Sequence, residues 1–251
     1  MGEDIILSAK GLSKQFAGFR AVDNVDLQVK RGTIHALIGP NGAGKTTCFN
    51  LLTKFLSPSE GTINYNGKDI TSYQSADIAR LGLVRSFQIS AVFPNLTVLE
   101  NVRIALQRPR SDSFYFWRSE RVLRELNDKA RELIVAVGLE GFEDNTAGEL
   151  SYGRKRALEI ATTLALDPEM LLLDEPMAGM AAQDVDRITR LIQRVAKNRT
   201  VLMVEHNLSV VSTLSDRITV LARGKVLAEG NYATVSKDPR VLEAYIGAGH
   251  A

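Results

Sequence analysis

Eight consecutive residues, Gly39-Pro40-Asn41-Gly42-Ala43-Gly44-Lys45-Thr46, restrict the fold of this chain more than any other stretch. They follow an apolar run from Ile34 to Ile38 and open a helix-like segment, so Gly, four residues, then Gly-Lys-Thr stands in the strand-loop-helix context of a phosphate loop. The glycines let the backbone wrap a polyphosphate, with successive N–H groups and the following helix N-terminus aimed at anionic oxygens. In such a loop Lys45 reaches the β- and γ-phosphates and the Thr46 hydroxyl holds Mg²⁺.

Around this loop the chain alternates short apolar runs with amphipathic stretches. Ile5 to Lys10, Val25 to Val29 and Thr33 to Ile38 are β-rich and predict an antiparallel sheet leading into the phosphate-loop strand. Gly61 to Tyr65 followed by Asn66-Gly67 adds a type I′ hairpin signal. The phosphate-loop helix is expected from Lys45 to Leu56, stopped by Ser57-Pro58. Another strand is expected from Leu83 to Phe87, leading to Gln88. Thr97-Val98-Leu99-Glu100 has capping-box spacing and predicts a helix toward Leu106. Phe114-Tyr115-Phe116-Trp117 precedes an amphipathic stripe through Val122, Leu126, Ala130, Leu133 and Val137.

Three strand ends and one helix start carry candidate chemistry. Met170 to Leu173 reads as a buried parallel strand ending in Asp174-Glu175, which suits an Asp on Mg²⁺ and a Glu that orients or deprotonates an attacking water. Thr200 to Val204 is a second such strand and delivers Glu205-His206-Asn207. Val185 to Val195 reads as the helix between them, and Val220-Leu221, Arg223-Gly224-Lys225 and Val226-Leu227 as a closing hairpin before a helix around Arg240 to Ile246. Leu150-Ser151-Tyr152-Gly153-Arg154-Lys155-Arg156 opens a helix with a Ser, a Gly and three cations, either an ordinary N-cap or an anion site built from backbone N–H groups, dipole and charge. Phe16 stands where an aromatic could stack on a purine, or could be core.

Composition narrows the remainder. The chain of 251 residues, 45% hydrophobic, is long for one domain and short for two, which suits one core with an inserted subdomain. A net charge of +2, spread along the chain, argues against a nucleic-acid partner. Cys48 is the only cysteine, which leaves no intrachain disulfide, and its place inside the phosphate-loop helix suggests a buried small hydrophobe. The acidic start Met1-Gly2-Glu3-Asp4 lacks a signal-peptide pattern, and no run approaches the ~20 apolar residues of a membrane span. A cytoplasmic chain that meets a membrane only through partners is expected.

Taken together these residues resemble the ATP-binding subunit of ABC transporters over essentially the whole chain. Gly39 to Thr46 matches the Walker A motif, Gln88 the Q-loop, Leu150 to Arg154 a variant of the signature, Leu171 to Glu175 Walker B with the catalytic glutamate, and His206 the switch histidine. Phe16 takes the position of the adenine-stacking aromatic. The resemblance implies an α/β fold: a P-loop NTPase (RecA-like) parallel-sheet core with an N-terminal antiparallel β subdomain and an inserted α-helical subdomain. The expected division is 1–88 for the first part of the core, 89–164 for the insertion with the signature, and 165–251 for the second part. It assigns ATP to Phe16 and to Gly39, Pro40, Asn41, Gly42, Ala43, Gly44, Lys45, Thr46 and Thr47, and Mg²⁺ to Thr46, Gln88 and Asp174. It assigns catalysis to Glu175, His206 and Gln88, and contact with a partner's ATP to Ser151, Tyr152 and Gly153.

Two departures stand out. Tyr152 and Arg154 occupy positions where the family usually has Gly and Gln, and Ala178-Gly179-Met180-Ala181 stands where Ser-Gly-Leu-Asp is usual, so a cross-dimer contact of that Asp is missing. Phe93 to Val102, the Tyr152-Gly153 variant and Asp238 to Tyr245 look most like the branched-chain amino-acid importers, a style shared by urea and short-chain amide importers. The implied partners are a second ATPase subunit, identical or related, arranged head to tail, two integral membrane permease subunits and, indirectly, a solute-binding protein. The implied place is the cytoplasmic face of the inner membrane. A soluble ABC ATPase of translation or repair and a regulatory module that no longer hydrolyses ATP are the rival readings.

Overall fold

The computed structural model describes residues 4–86, 92–107 and 120–247. Gln88 and the Phe114 to Trp117 cluster lie outside the described residues. Strands β1 (Ile5–Phe16) and β2 (Phe19–Lys30) pair antiparallel through Ala17-Gly18, whose φ angles of 41° and 91° give the turn the twist a two-residue hairpin needs. The next strand, β3 (Ile34–Ile38), is buried at all five positions and leaves this sheet, because an unbroken apolar strand needs cover on both faces.

Helix α1 (Lys45–Leu52) follows the glycine loop and ends one turn earlier than Ser57-Pro58 suggests. The Thr53 hydroxyl donates back to the Phe49 carbonyl at 2.8 Å, and Lys54 turns left-handed at φ 58°, which stops the helix from within. The hairpin of β4 (Glu60–Tyr65) and β5 (Lys68–Asp69) turns on Asn66 and Gly67, both at positive φ as type I′ requires, and completes a sheet of order β2-β1-β4-β5. A short α2 (Ser75–Arg80) leads to β6 (Leu83–Ser86).

Three helices follow: α3 (Val98–Gln107), α4 (Glu120–Ala136) and α5 (Tyr152–Leu164). The capping box of α3 is formed, with the Thr97 N–H donating to Glu100 Oε2 at 2.9 Å and the Glu100 N–H to Thr97 Oγ1 at 3.1 Å. Then come β7 (Met170–Asp174), α6 (Ala182–Ala196), β8 (Thr200–Val204), α7 (Leu208–Leu214), the antiparallel pair β9 (Arg217–Ala222) and β10 (Lys225–Gly230), and two last helices, α8 (Tyr232–Val235) and α9 (Pro239–Gly247).

The second sheet has the order β10-β9-β3-β8-β7-β6, with β9, β3, β8, β7 and β6 parallel. Period-two alternation splits its side chains between two cores. Leu37, Leu172, Leu202 and Val204 face Cys48, Phe49 and Leu52 of α1 and, beyond them, Ile6, Leu12 and Ile63 of the antiparallel sheet. Ala36, Ile38, Leu171, Leu173 and Met203 face the other way, against Leu158 and Ala161 of α5, Ile188 and Leu191 of α6 and Val211 of α7. This is the layering that the resemblance implies, with α1 held between two sheets and the glycine loop at the parallel sheet's C-terminal edge.

Candidate active site

Register brings the strand ends together. Leu37 of β3 pairs with Val204 of β8, and Val204 pairs with Asp174 of β7, so three parallel strands finish abreast. One or two residues beyond that line lie Gly39, Glu205, His206 and Glu175. Ser86 of β6 pairs with Leu173 one step behind, and the path toward Gln88 then leaves the described residues. Ligand sites of open parallel sheets form at this edge.

The phosphate loop depends on missing side chains at two points. Gly39, at φ 151°, passes so close to the Leu221 carbonyl that a Cβ would overlap it, and Gly44, at φ 96°, does the same with the Ala21 carbonyl of β2. Gly224, in the β9–β10 turn, donates to the Ala43 carbonyl at 3.0 Å and accepts from Asp23 N–H at 2.9 Å, tying loop, turn and β2 together. That contact also brings the β1–β2 hairpin to the loop. Phe16 is 42% exposed at the end of this hairpin, opposite the exposed Phe19, and the Lys14 ammonium lies over its ring, 5.3 Å from the centroid.

Lys45 is buried, and its Nζ donates to the carbonyls of Gly39 at 2.7 Å and Pro40 at 3.0 Å. No carboxylate among the described residues forms an ion pair with it. Burial lowers its pKa, and the Glu175 charge partly offsets this. A buried cation satisfied only by carbonyl dipoles fits an incoming anion, and α1 has no acidic residue in its first turn to oppose one. Thr46 is exposed and Thr47 half-buried in that same turn.

The carboxylates differ in their surroundings. Asp174 is 2% exposed, and its Oδ2 accepts from Arg85 at 2.6 Å. Glu175 is half-buried and held at φ 43°, a left-handed backbone that costs a non-glycine residue about 1–3 kcal/mol, and its N–H donates to the Val204 carbonyl at 2.9 Å. Beside it Glu205, fully buried, accepts from the N–H groups of Met177 at 3.0 Å, His206 at 3.0 Å and Asn207 at 3.1 Å. One carboxylate thereby joins the loop after Glu175 to the loop that carries His206, whose side chain is exposed.

Mg²⁺ suits this donor set. Among the described residues no three His, Cys, Asp or Glu side chains cluster as a metal cage. Mg²⁺ commonly binds through one or two carboxylates, waters and substrate phosphates, which Asp174 and the Thr46 hydroxyl can complete.

At the start of α5, Ser151 is the N-cap residue, but its side chain makes no capping hydrogen bond and is exposed. An ordinary cap would use that hydroxyl on the helix's own N–H groups. Tyr152 is 55% exposed beside it, and a Cβ on the buried Gly153 would collide with the Asp184 carboxylate of the same chain. Arg154 turns back instead, its guanidinium 4.0 Å from the centroid of the Phe142 ring.

The family described as ABC transporter matches residues 22–178, and the one described as branched-chain amino acid ATP-binding cassette transporter matches residues 225–251. The chain belongs to the ABC transporter family. This ABC cassette is 38% identical to the high-affinity branched-chain amino acid transport ATP-binding protein BraF of Pseudomonas aeruginosa, over 96% of its own length and 98% of the relative's. It is 37% identical to the LivG protein of the same description from Escherichia coli, again over 96% and 98%. Among solved structures it resembles a nucleotide-free ATP-binding cassette from an ABC transporter, with TM-score 0.85 and 34% identity over 97% of this chain and 99% of the other. A dimeric, post-hydrolysis cassette bound to ADP and Pi matches with TM-score 0.76 and 25% identity over 90% and 98%.

Sequence reasoning passed over three residues of this ABC cassette. Glu205 looked like a companion of His206 and is the joint between two loops. Arg85 looked like a strand residue and pairs with Asp174. Arg156 looked like one of three cations near a phosphate; it is buried, pairs with Glu159 at 2.6 Å and donates to the Asp174 carbonyl at 3.2 Å, which fastens α5 to the end of β7. A charged residue inside an apolar run was the available signal for Arg85, since such residues are seldom buried without a partner.

Proposed function

We propose that this chain is the ATP-hydrolysing subunit of an importer for branched-chain amino acids. The observation that carries the ATPase part is the register that puts Gly39, Glu175 and His206 at one sheet edge with the buried, acid-free Lys45. The C-terminal match over residues 225–251 and the names of the relatives support the amino-acid part.

In this reading Lys45 and the backbone N–H groups of the loop hold the β- and γ-phosphates, and Phe16 stacks on the adenine. Mg²⁺ would be held at Thr46 and Asp174, with Gln88 assigned to it by the family resemblance, and would supply neutralising charge to the phosphate oxygens. Glu175 orients the water and takes its proton, and His206 contacts the γ-phosphate. Two cassettes meet head to tail, so that Ser151, Tyr152 and Gly153 of one face the nucleotide of the other. The free Ser151 hydroxyl and the N-terminus of α5 supply donors there.

No helix among the described residues is long and apolar enough to cross a membrane; in this reading permease subunits carry the solute across it. A groove of about 610 Å³, lined among others by the exposed Phe55, Phe93 and Ile104, offers them an apolar seat on the cytoplasmic face. Co-expression with candidate permeases, reconstitution in vesicles and measurement of ATP-dependent leucine, isoleucine and valine uptake tests the whole. Uptake of urea or a short amide in their place would move the substrate assignment, and an ATPase that never co-purifies with a membrane protein would overturn the importer reading.

A further inference from the structure

Arg85 is 12% exposed, and both terminal nitrogens of its guanidinium are engaged while Nε is buried without a hydrogen-bond partner. One terminal nitrogen donates to Asp174 Oδ2 at 2.6 Å; the other donates to Asn50 Oδ1 at 2.6 Å and lies 3.5 Å from Thr53 Oγ1. The guanidinium carbon is 5.1 Å from the centroid of the Phe49 ring and 5.2 Å from that of Phe55. Asn50 and Phe49 belong to α1, the helix that begins with the phosphate-binding lysine, and Thr53 caps its end. A planar fork held by two rings and by α1 presents its other terminal nitrogen in one direction.

We propose that Arg85 is a positioning residue for Mg²⁺, acting through Asp174. It takes Oδ2 in a single bond and so sets the rotamer of a carboxylate whose other oxygen carries no hydrogen bond among the described residues. Because Arg85 is itself anchored to α1, the orientation of Asp174 is tied to the helix that presents Thr46. Partners of this outer kind orient metal-binding carboxylates and typically contribute about 10–100-fold to metal affinity. The inference rests on Asp174 serving Mg²⁺, as proposed above.

Two effects of Arg85 oppose each other. Its charge alone repels a nearby divalent cation, and losing it would tighten Mg²⁺ binding. Its fork holds the carboxylate in place, and losing that would weaken binding. The burial of Asp174 and the double anchoring of Arg85 make orientation the larger effect, so the sign of the change decides the matter.

The test is a binding titration that involves no turnover. A fluorescent ATP analogue is bound to the purified chain in EDTA and then across a Mg²⁺ series, for wild type, Arg85→Met, Arg85→Lys and Asp174→Asn. The expected result for Arg85→Met is unchanged affinity in EDTA and a Mg²⁺ half-saturation raised about tenfold or more. Arg85→Lys should recover part of the loss, since an ammonium can reach Asp174 but cannot also hold Asn50. An unchanged or lowered Mg²⁺ half-saturation in Arg85→Met would overturn the proposal. If Arg85→Met no longer binds nucleotide in EDTA because it fails to fold, Arg85→Lys decides: a raised half-saturation supports the proposal and an unchanged one overturns it. Asp174→Asn separates the two levels, because an unaltered Mg²⁺ dependence there removes the assignment of Asp174 itself.

Discussion

Lowering the pH should destabilise this cassette through one residue that sequence alone would rank as ordinary. His35 lies in the middle of β3 at 0% exposure, with Nε2 2.8 Å from Thr219 Oγ1 and Nδ1 without a hydrogen-bond partner. Burial, and secondarily the charge of Arg217 across the strand pair, hold its pKa at about 3 against an ordinary 6.5. The folded state therefore keeps His35 neutral while the unfolded chain takes up a proton below pH 6.5, so stability is complete above that value and falls as the pH drops toward 3. At pH 5 the deficit is about 2 kcal/mol, which for a chain of this size lowers Tm by roughly 4–8 °C relative to pH 7.5. Calorimetry at the two pH values measures it, and His35→Gln supplies the control, since Gln can keep a bond to Thr219 but does not titrate. The variant should start less stable at pH 7.5 and lose about 2 kcal/mol less than wild type on going to pH 5. Parallel losses in both proteins would refute the account of His35.

Cys48 is fully buried against the antiparallel sheet, and burial pushes its thiol up to about 12, so maleimide should leave the native protein unlabelled and modify it stoichiometrically once unfolded. Rapid labelling of the native protein would contradict its place in the core. Glu205→Gln replaces a carboxylate that accepts three backbone N–H groups by an amide with one acceptor oxygen. It should cost about 1–3 kcal/mol in stability and lower kcat while ATP affinity is retained, as equilibrium unfolding and steady-state kinetics would show. Lys45→Ala should weaken ATP binding and hydrolysis together, because it removes the buried cation of the loop; unchanged affinity in a nucleotide titration would remove the phosphate role from Lys45.

What the sequence made legible is what local pattern controls. The unbroken runs Met170 to Leu173 and Thr200 to Val204 could only be strands covered on both faces, and the capping box at Thr97 and the turn at Asn66-Gly67 appear where their chemistry requires. Short helices escaped: α7 spans seven residues, and its one signal was Asn207, which caps it through the N–H groups of Ser209 and Val210. Features made by long-range proximity escaped as well. Nothing near Glu175 in sequence forecasts its left-handed backbone, and nothing near Gly153 forecasts that Asp184 fills the space beside it. Arg85 and Asp174 are 89 positions apart, and only the parallel pairing of β6 with β7 makes them neighbours. The candidate site was therefore readable as a set of residue types, while its internal joints, Glu205, Arg85 and Arg156, depend on the fold.

In the proposed mechanism two copies or relatives of this cassette close over ATP, and Glu175 of the chain activates the water. The direct measurement is phosphate release and nucleotide retention by the assembled transporter carrying Glu175→Gln. The amide preserves shape but cannot accept the proton, so ATP should bind, phosphate release should cease, and a closed, ATP-loaded pair of cassettes should accumulate, visible by size-exclusion chromatography with bound nucleotide. Phosphate release at near the wild-type rate would contradict the claim.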